Sequence, residues 1–143
     1  MTRQDIINET RSWVGTRWQH QASLKGVAAD CVGLARGVYT GLTGSVIQTP
    51  MNYPATWHLF KAAEMLYPEC QKYMEEILPI EAKPGDLLLF GFGKGPASHI
   101  GILTEPNKFV HSFQDVGRVV ESRLDDEWKK RIRFAFKYPG VTD

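Results

Sequence analysis

The sequence has few cysteines, no long apolar run and almost no excess of one charge. Its two cysteines, Cys31 and Cys70, cannot build the disulfide framework of a small secreted domain. No stretch approaches the roughly 18 consecutive apolar residues of a transmembrane helix, so no membrane insertion is expected. The formal net charge is +1, which creates no field that would attract nucleic acid. No nucleic-acid partner is therefore expected.

The N-terminal segment MTRQDIINETRSW lacks the apolar core of a secretory signal peptide. We therefore expect a protein made in the cytoplasm that needs another carrier if its target lies outside the cell. The length and ordinary composition fit one globular domain over residues 1–143, without repeats or low-complexity segments. The basic run at residues 129–133 follows two aspartates, and we interpret it as a solvated face.

The first half of the chain has helical patterns. Thr2 and Asp5 resemble a capping box before a first helix, which Gly15 ends. A polar loop over residues 16–30 follows. It is long for a connection, and long ordered loops often carry function.

A second helix is predicted from Cys31 to about Gly44. A third is predicted from Thr56 to its end at Pro68, followed by a short helix over residues 69–78. The apolar stripe of the second helix consists of Leu34, Ala35, Val38, Tyr39 and Leu42.

The second half of the chain has strand patterns. Five short segments are apolar or alternate between apolar and polar residues: KPGDLLLFG, SHIGILTE, KFVHSF, GRVVESRL and IRFAFKYP. In the last one, Ile132, Phe134 and Phe136 are predicted to face inward and Ala135 outward. Helices followed by a strand meander indicate an α+β fold, with N-terminal helices packed on a C-terminal antiparallel sheet of about five strands.

Cys31 follows Asp30 at the start of the second predicted helix. A helix N-terminus carries partial positive charge and free N–H donors, which favour the thiolate and are expected to lower the pKa of a cysteine there. The alternative is a buried thiol that acts as a small apolar residue. Cys70 lies in a stretch rich in Glu and Lys, and we interpret it as structural.

Two histidines could serve a cysteine nucleophile, which needs a base and a group that orients the base. His99 opens the segment HIGIL, and His111 follows twelve positions later in KFVHSF. A hairpin about Pro106 and Asn107 would put both on neighbouring strands, about 5 Å apart, although their spacing does not fix which face each occupies. The alternative is that each is an ordinary polar residue of a strand.

The same three side chains, Cys31, His99 and His111, could also form a zinc site. No C-x-x-C or H-x-x-x-H pair supports that interpretation. No metal and no cofactor are therefore expected.

Four segments, DCVGLARGVY, KPGDLLLF, SHIGIL and KFVHS, resemble the NlpC-type cell-wall peptidases, which are papain-like cysteine hydrolases. The resemblance looks closer to a subgroup encoded beside phage tail genes and in gene transfer agents. RSWVGTRWQHQASLKGVAADCVGLARGVY is similar to the opening block of that subgroup, and RVVESRLDDEWKKRIRFAFKYPG to its closing block. The similarity spans residues 6–140 and is least specific over residues 44–82.

The resemblance implies a papain-like NlpC-type fold that hydrolyses an amide bond in peptidoglycan stem peptides, typically between D-glutamate and the diamino acid. Carried over to this chain, Cys31 is the nucleophile, His99 the general base and acid, and His111 the orienting residue. The subgroup implies incorporation into a phage-like tail, with tail or baseplate proteins as partners.

One position departs from the family pattern. Many members carry a Tyr about a dozen residues before the Cys, and here Trp18 stands at the comparable place. An indole N–H can donate a hydrogen bond but cannot accept one. Four residues stay open as the group near the oxyanion or substrate: Trp18, Gln19, His20 and Gln21.

Two other functions use the same fold. The chain could be a structural tail-tip component with little or no hydrolase activity. It could also be another papain-like amidase or acyltransferase, because a fold alone does not settle function.

Overall fold

The computed structural model describes residues 1–46 and 66–143 and consists of helices packed on a large antiparallel sheet. The helices are α1 (Arg3–Arg11), α2 (Cys31–Thr43), α3 (Leu66–Tyr73) and α4 (Asp126–Arg131). The strands are β1 (Ser23–Leu24), β2 (Ala28–Ala29), β3 (Glu75–Ile77), β4 (Leu87–Gly91), β5 (Ala97–Glu105), β6 (Lys108–Phe113), β7 (Arg118–Arg123) and β8 (Ile132–Lys137). A 3-10 turn covers Pro79–Glu81.

The sheet has six strands in the order β3-β8-β4-β5-β6-β7, and every neighbouring pair is antiparallel. The five strands predicted from the sequence are β4 to β8, and the predicted α+β class is confirmed. β1 and β2 form a separate two-stranded hairpin inside the loop before α2.

Two local predictions between α2 and β4 are wrong. Residues 75–77, predicted as part of a helix, form the edge strand β3, whose backbone pairs with β8. Pro68 was expected to stop a helix, but it lies inside α3. The predicted helix start at Thr56 lies outside the described residues.

The first two helices begin and end where local sequence signals predict. Thr2 and Asp5 form the reciprocal capping box of α1. Asp30 caps α2, and Gly44 ends that helix in the left-handed conformation at φ 74°. Over the part of the chain that the structure describes, no helix has both the length and the apolarity to cross a bilayer.

The sheet is covered on both faces. One face packs on α1 and α2 through a core that includes Leu34, Val38 and Ile102. The opposite face carries a smaller core, against which Trp128 of α4 packs. Ala135, predicted to face outward, is fully buried in this second core, because this face of the sheet is also covered and not left to solvent.

The Pro-Gly-Asp turn before β4 ties the first helix to the sheet. Gly85 adopts φ 98°, which a residue with a side chain rarely adopts. Asp86 is almost completely buried, and its carboxylate accepts a hydrogen bond from Arg3 of α1 at 2.7 Å. Removing Arg3 would leave a buried charge without this partner.

Candidate active site

Cys31 is the first residue of α2, and its backbone is fixed by the residues around it. The Asp30 carboxylate accepts a hydrogen bond from the Gly33 N–H at 2.7 Å and caps the helix. A β-carbon on Gly33 would lie 1.8 Å from the carbonyl oxygen of Ala22, so the preceding loop crosses the first turn of α2 at a glycine. This contact explains why the Asp-Cys-x-Gly pattern needs its glycine.

The Cys31 side chain is buried against β5. Backbone N–H groups of Ile100, Val32 and Cys31 itself hydrogen-bond toward the sulfur and favour the thiolate. Burial outweighs them and raises the pKa of the Cys31 thiol, and the neighbouring charge of Asp30 raises it further. The expectation that the helix N-terminus lowers this pKa is therefore wrong, because desolvation is the larger effect.

The structure brings His99 and His111 together. His99 Nε2 and His111 Nδ1 are 2.8 Å apart, so both rings occupy the same face of the sheet. His99 follows a β-bulge, since Phe90 pairs with His99 and Gly91 pairs with Ala97, which leaves one residue unpaired. Bulges re-aim the side chains next to them and are common beside active sites.

The segment that carries Cys31 is held against the two strands that carry His99 and His111. The Cys31 sulfur lies at the backbone of Ile100, the residue after His99. On the neighbouring strand, the hydroxyl of Ser112 donates to the carbonyl oxygen of Ala29 at 2.5 Å. The residue after His111 therefore holds the chain two positions before Cys31.

Aromatic rings surround the histidine pair. The rings of Phe90, Phe92, Phe113 and Trp128 lie with centroids 5.4–6.2 Å from that of His99. Burial lowers the pKa of His111 to about 3. His111 is therefore neutral at neutral pH, although it lies beside a second imidazole.

Ser122 completes a chain of hydrogen bonds that the sequence did not reveal. Its Oγ lies 2.9 Å from Nε2 of His111. Ser122 belongs to β7 and pairs with Phe109, two residues before His111 on β6. Only the strand register brings Ser122 to this position, so no local pattern in the sequence could have identified it.

The four residues considered for the oxyanion side lie in the loop that Asp30 holds. The N–H of Gln21 donates to Asp30 Oδ2 at 2.7 Å, and Gln21 has a φ of 62°, unusual for a residue with a side chain. His20 Nδ1 lies 4.0 Å from the same oxygen. Gln19 is exposed, and the backbone N–H of Trp18 donates to Gly117 at 2.9 Å. The choice among the four stays open.

Cys70 occupies a different environment. It lies in α3 and lines an apolar cavity together with Leu66, Met74 and Tyr138. Burial raises the pKa of its thiol to about 12, with a further contribution from the charge of Glu69. Within residues 1–46 and 66–143, no group of three Cys, His, Asp or Glu side chains could hold a metal ion.

Comparison with curated proteins connects this chain to a cell-wall enzyme. It is 25% identical over 130 residues to the murein DD-endopeptidase MepS/murein LD-carboxypeptidase of Escherichia coli K12. The match covers 91% of this chain and 60% of the relative, so the chain spans only part of the length of the curated relative.

Two solved structures share the fold. The NlpC/p60 domain of the peptidoglycan hydrolase SagA matches with a TM-score of 0.69 at 22% identity, over 96% of this chain and 99% of that one. RipD from Mycobacterium tuberculosis, a non-catalytic NlpC/p60 domain protein with a peptidoglycan-binding function, matches with a TM-score of 0.59 at 16% identity. That match covers 94% of this chain and 95% of RipD.

The family profile of the NlpC/P60 family matches residues 12–136, a segment that runs from the end of α1 into β8 and contains Cys31, His99 and His111. The chain belongs to the NlpC/P60 family.

Proposed function

We propose that this protein is a peptidoglycan hydrolase that cleaves an amide bond of a stem peptide through a thioester on Cys31. The observation that carries the proposal is the thiol of Cys31 at the backbone of Ile100, the residue after His99, whose ring is hydrogen-bonded to that of His111. A cysteine, a base and a residue that orients the base are the groups that nucleophilic amide hydrolysis needs. The relationship to MepS, by name a murein endopeptidase, supports murein as the substrate.

The hydrogen bonds assign a role to each nitrogen of His99. Nε2 is held by His111, so Nδ1 is the atom that accepts the thiol proton. The Cys31 sulfur attacks the carbonyl carbon, and the backbone N–H of Cys31 donates to the oxyanion. Nδ1–H then protonates the leaving amine, which leaves a thioester. A water molecule gives a proton to Nδ1 of His99, attacks the thioester and releases the acid, and the proton returns to the sulfur.

The raised pKa of the Cys31 thiol defines the resting state in this proposal. Burial disfavours the thiolate, and burial keeps His111 uncharged. The resting thiol of Cys31 therefore keeps its proton. Proton transfer accompanies attack on the substrate instead of preceding it.

We further propose the bond between D-glutamate and the diamino acid as the target, and a phage-like tail as the carrier. The similarity of residues 11–39 and of residues 118–140 to the tail-associated subgroup supports the carrier. A tail would bring the enzyme to the cell wall, with tail or baseplate proteins as its partners. Mass spectrometry of purified tail particles would test this: the chain should be present at a fixed ratio to tail proteins, and its absence would reject the carrier.

Digestion of purified peptidoglycan tests the hydrolase itself. The native chain and the Cys31→Ala variant are incubated with sacculi of several stem chemistries, and new amino termini are identified by mass spectrometry. The native chain should release one new amine at a defined bond, and Cys31→Ala should release none. Equal inactivity of both proteins on every stem chemistry would contradict the proposal.

A second candidate is a peptidoglycan-binding protein without turnover. It is favoured by the raised pKa of Cys31 and by the shared fold with the non-catalytic RipD. In that case the native chain and Cys31→Ala would sediment equally with sacculi, and neither would release an amine. Binding accompanied by amine release from the native chain alone would exclude it.

A further inference from the structure

Both ring nitrogens of His111 are engaged, and their partners lie on opposite sides of the ring. Nδ1 lies 2.8 Å from Nε2 of His99, and Nε2 lies 2.9 Å from Oγ of Ser122. His111 is 1% exposed, while Ser122 is half-buried on the adjacent strand β7. Protons on this buried chain of three groups must be arranged consistently, because each nitrogen of a neutral imidazole either donates or accepts.

Only one arrangement lets His99 act as a base. If His111 carries its proton on Nδ1, it donates to Nε2 of His99, and neutral His99 then holds its own proton on Nδ1. That nitrogen has no lone pair for the thiol of Cys31. If His111 instead carries its proton on Nε2, its Nδ1 accepts from His99 Nε2–H, and Nδ1 of His99 is a proton acceptor.

We propose that Ser122 is a positioning residue, whose Oγ accepts the Nε2–H of His111 and thereby stabilises the tautomer in which His99 can deprotonate Cys31. This inference rests on the proposed function, in which His99 deprotonates Cys31. It rests on the two hydrogen bonds for its geometry.

The rest of the environment explains why the hydroxyl matters. Among the described residues, the other rings packed on His111 are Phe109, Phe113 and Trp128, none of which is a hydrogen-bond acceptor of ordinary strength. Without Oγ, the productive tautomer would bury an N–H donor with no partner. The unproductive tautomer would leave only an unfilled acceptor at the same atom.

Glu121 and Arg123 flank Ser122 on β7 and, by strand alternation, face the other side of the sheet. His99 comes from β5, and the guanidinium of Arg131 from α4 lies 4.7 Å above the Trp128 ring and 5.1 Å above the Phe92 ring. The packing neighbours from β4, β6 and α4 are aromatic. A change in pH profile after a substitution at Ser122 would therefore report on the histidine pair.

The first test uses nitrogen NMR of the histidine-labelled native protein at neutral pH. The proposal expects His111 to be protonated at Nε2 and unprotonated at Nδ1. In Ser122→Ala the two tautomers should mix, whereas Ser122→Thr should keep the native pattern. A native His111 protonated at Nδ1 would overturn the inference without any variant.

The second test measures alkylation of Cys31 by iodoacetamide as a function of pH. Ser122→Ala should lower the rate at neutral pH about tenfold, and Ser122→Thr should restore it. Ser45→Ala, an exposed substitution after the end of α2, serves as the control and should match the native protein. An unchanged rate in Ser122→Ala would overturn the inference.

These readouts need no hydrolysable substrate, so the two proposals can fail separately. If Ser122→Ala changes the tautomer and the alkylation rate while no stem peptide is cleaved, the positioning role stands and the proposed hydrolysis fails. If the native chain cleaves peptidoglycan and Ser122→Ala has the same kcat, the hydrolysis stands and the positioning role fails. The expected result is a kcat reduced about tenfold with little change in KM.

Discussion

Cys31 and Cys70 are both buried thiols, yet they lie in different surroundings. Burial raises the pKa of each, and a neighbouring carboxylate, Asp30 or Glu69, raises it further. Cys70 faces an apolar cavity, whereas Cys31 lies among backbone N–H groups, one of them from Ile100, the residue after His99. The comparison teaches that thiol pKa does not separate a reactive cysteine from a structural one here. In the proposed mechanism, the separation comes from the proton acceptor that His99 supplies to Cys31.

The largest expected effect separates the two cysteines directly. Cys31→Ala should lower amide hydrolysis at least about a thousandfold, because the covalent route is lost. Cys70→Ala should keep hydrolysis near the native rate and lower the free energy of unfolding by about 1 kcal/mol through lost packing. Initial rates and urea unfolding of both variants measure this. Similar hydrolysis rates in Cys31→Ala and Cys70→Ala would contradict the distinction between a reactive and a structural cysteine.

The second effect removes the proton acceptor. His99→Gln should lower kcat by about 10²–10⁴, the usual contribution of a general base. His111→Gln should lower it less, by about tenfold, because glutamine retains an amide oxygen that can accept from His99. Steady-state kinetics on a stem peptide compare the two. A greater loss of kcat in His111→Gln than in His99→Gln would contradict the assignment of His99 as the base.

The third effect concerns the backbone that places Cys31. Gly33→Ala should destabilise the fold by about 1–3 kcal/mol and reduce turnover, because the new β-carbon meets the Ala22 backbone at 1.8 Å. Gly41→Ala in the same helix is the matched control. The nearest atom to its β-carbon is a side-chain oxygen of Glu9, at 2.9 Å, which can shift where a backbone atom cannot, and alanine favours helix. Equal unfolding energies for the two variants would contradict the close crossing.

The last effect is on stability in acid. Burial lowers the pKa of His111 to about 3, against about 6.5 in an unfolded chain. Between these values only the unfolded chain binds the proton. Stability is therefore lost as pH falls through this range, at up to about 1.4 kcal/mol per pH unit.

His111→Gln should flatten that part of the profile, and urea unfolding at several pH values measures it. A native profile and a variant profile with the same slope would show that His111 is not held neutral. The test complements the cysteine comparison, since a neutral His111 is required for His99 to serve Cys31.

Sequence signals predicted the elements that are fixed locally. Thr2, Asp30 and Gly44 mark helix ends through their own hydrogen bonds or backbone angles, so α1 and α2 follow from short segments. The apolar runs of β4, β5 and β6 are long enough to be recognised without their neighbours. Their spacing put the two histidines on neighbouring strands but left open which face of the sheet each occupies.

Features that depend on partners were missed. β3 is a strand because β8 offers it hydrogen bonds, and Ala135 is buried because a second core covers its face. The pKa of Cys31 depends on burial beneath residues remote in the chain, and Ser122 reaches His111 only through strand register. Each needs a contact between segments that no local pattern encodes.

The most direct test of the account is alkylation of both cysteines in one sample, followed by peptide mass spectrometry. At neutral pH, Cys31 should react at least about tenfold faster than Cys70, because the proposed mechanism gives Cys31 a base in His99 and gives Cys70 none. In His99→Gln this advantage should disappear. Equal rates for Cys31 and Cys70 in the native protein, or a Cys31 rate that His99→Gln leaves unchanged, would contradict the claim that His99 activates Cys31.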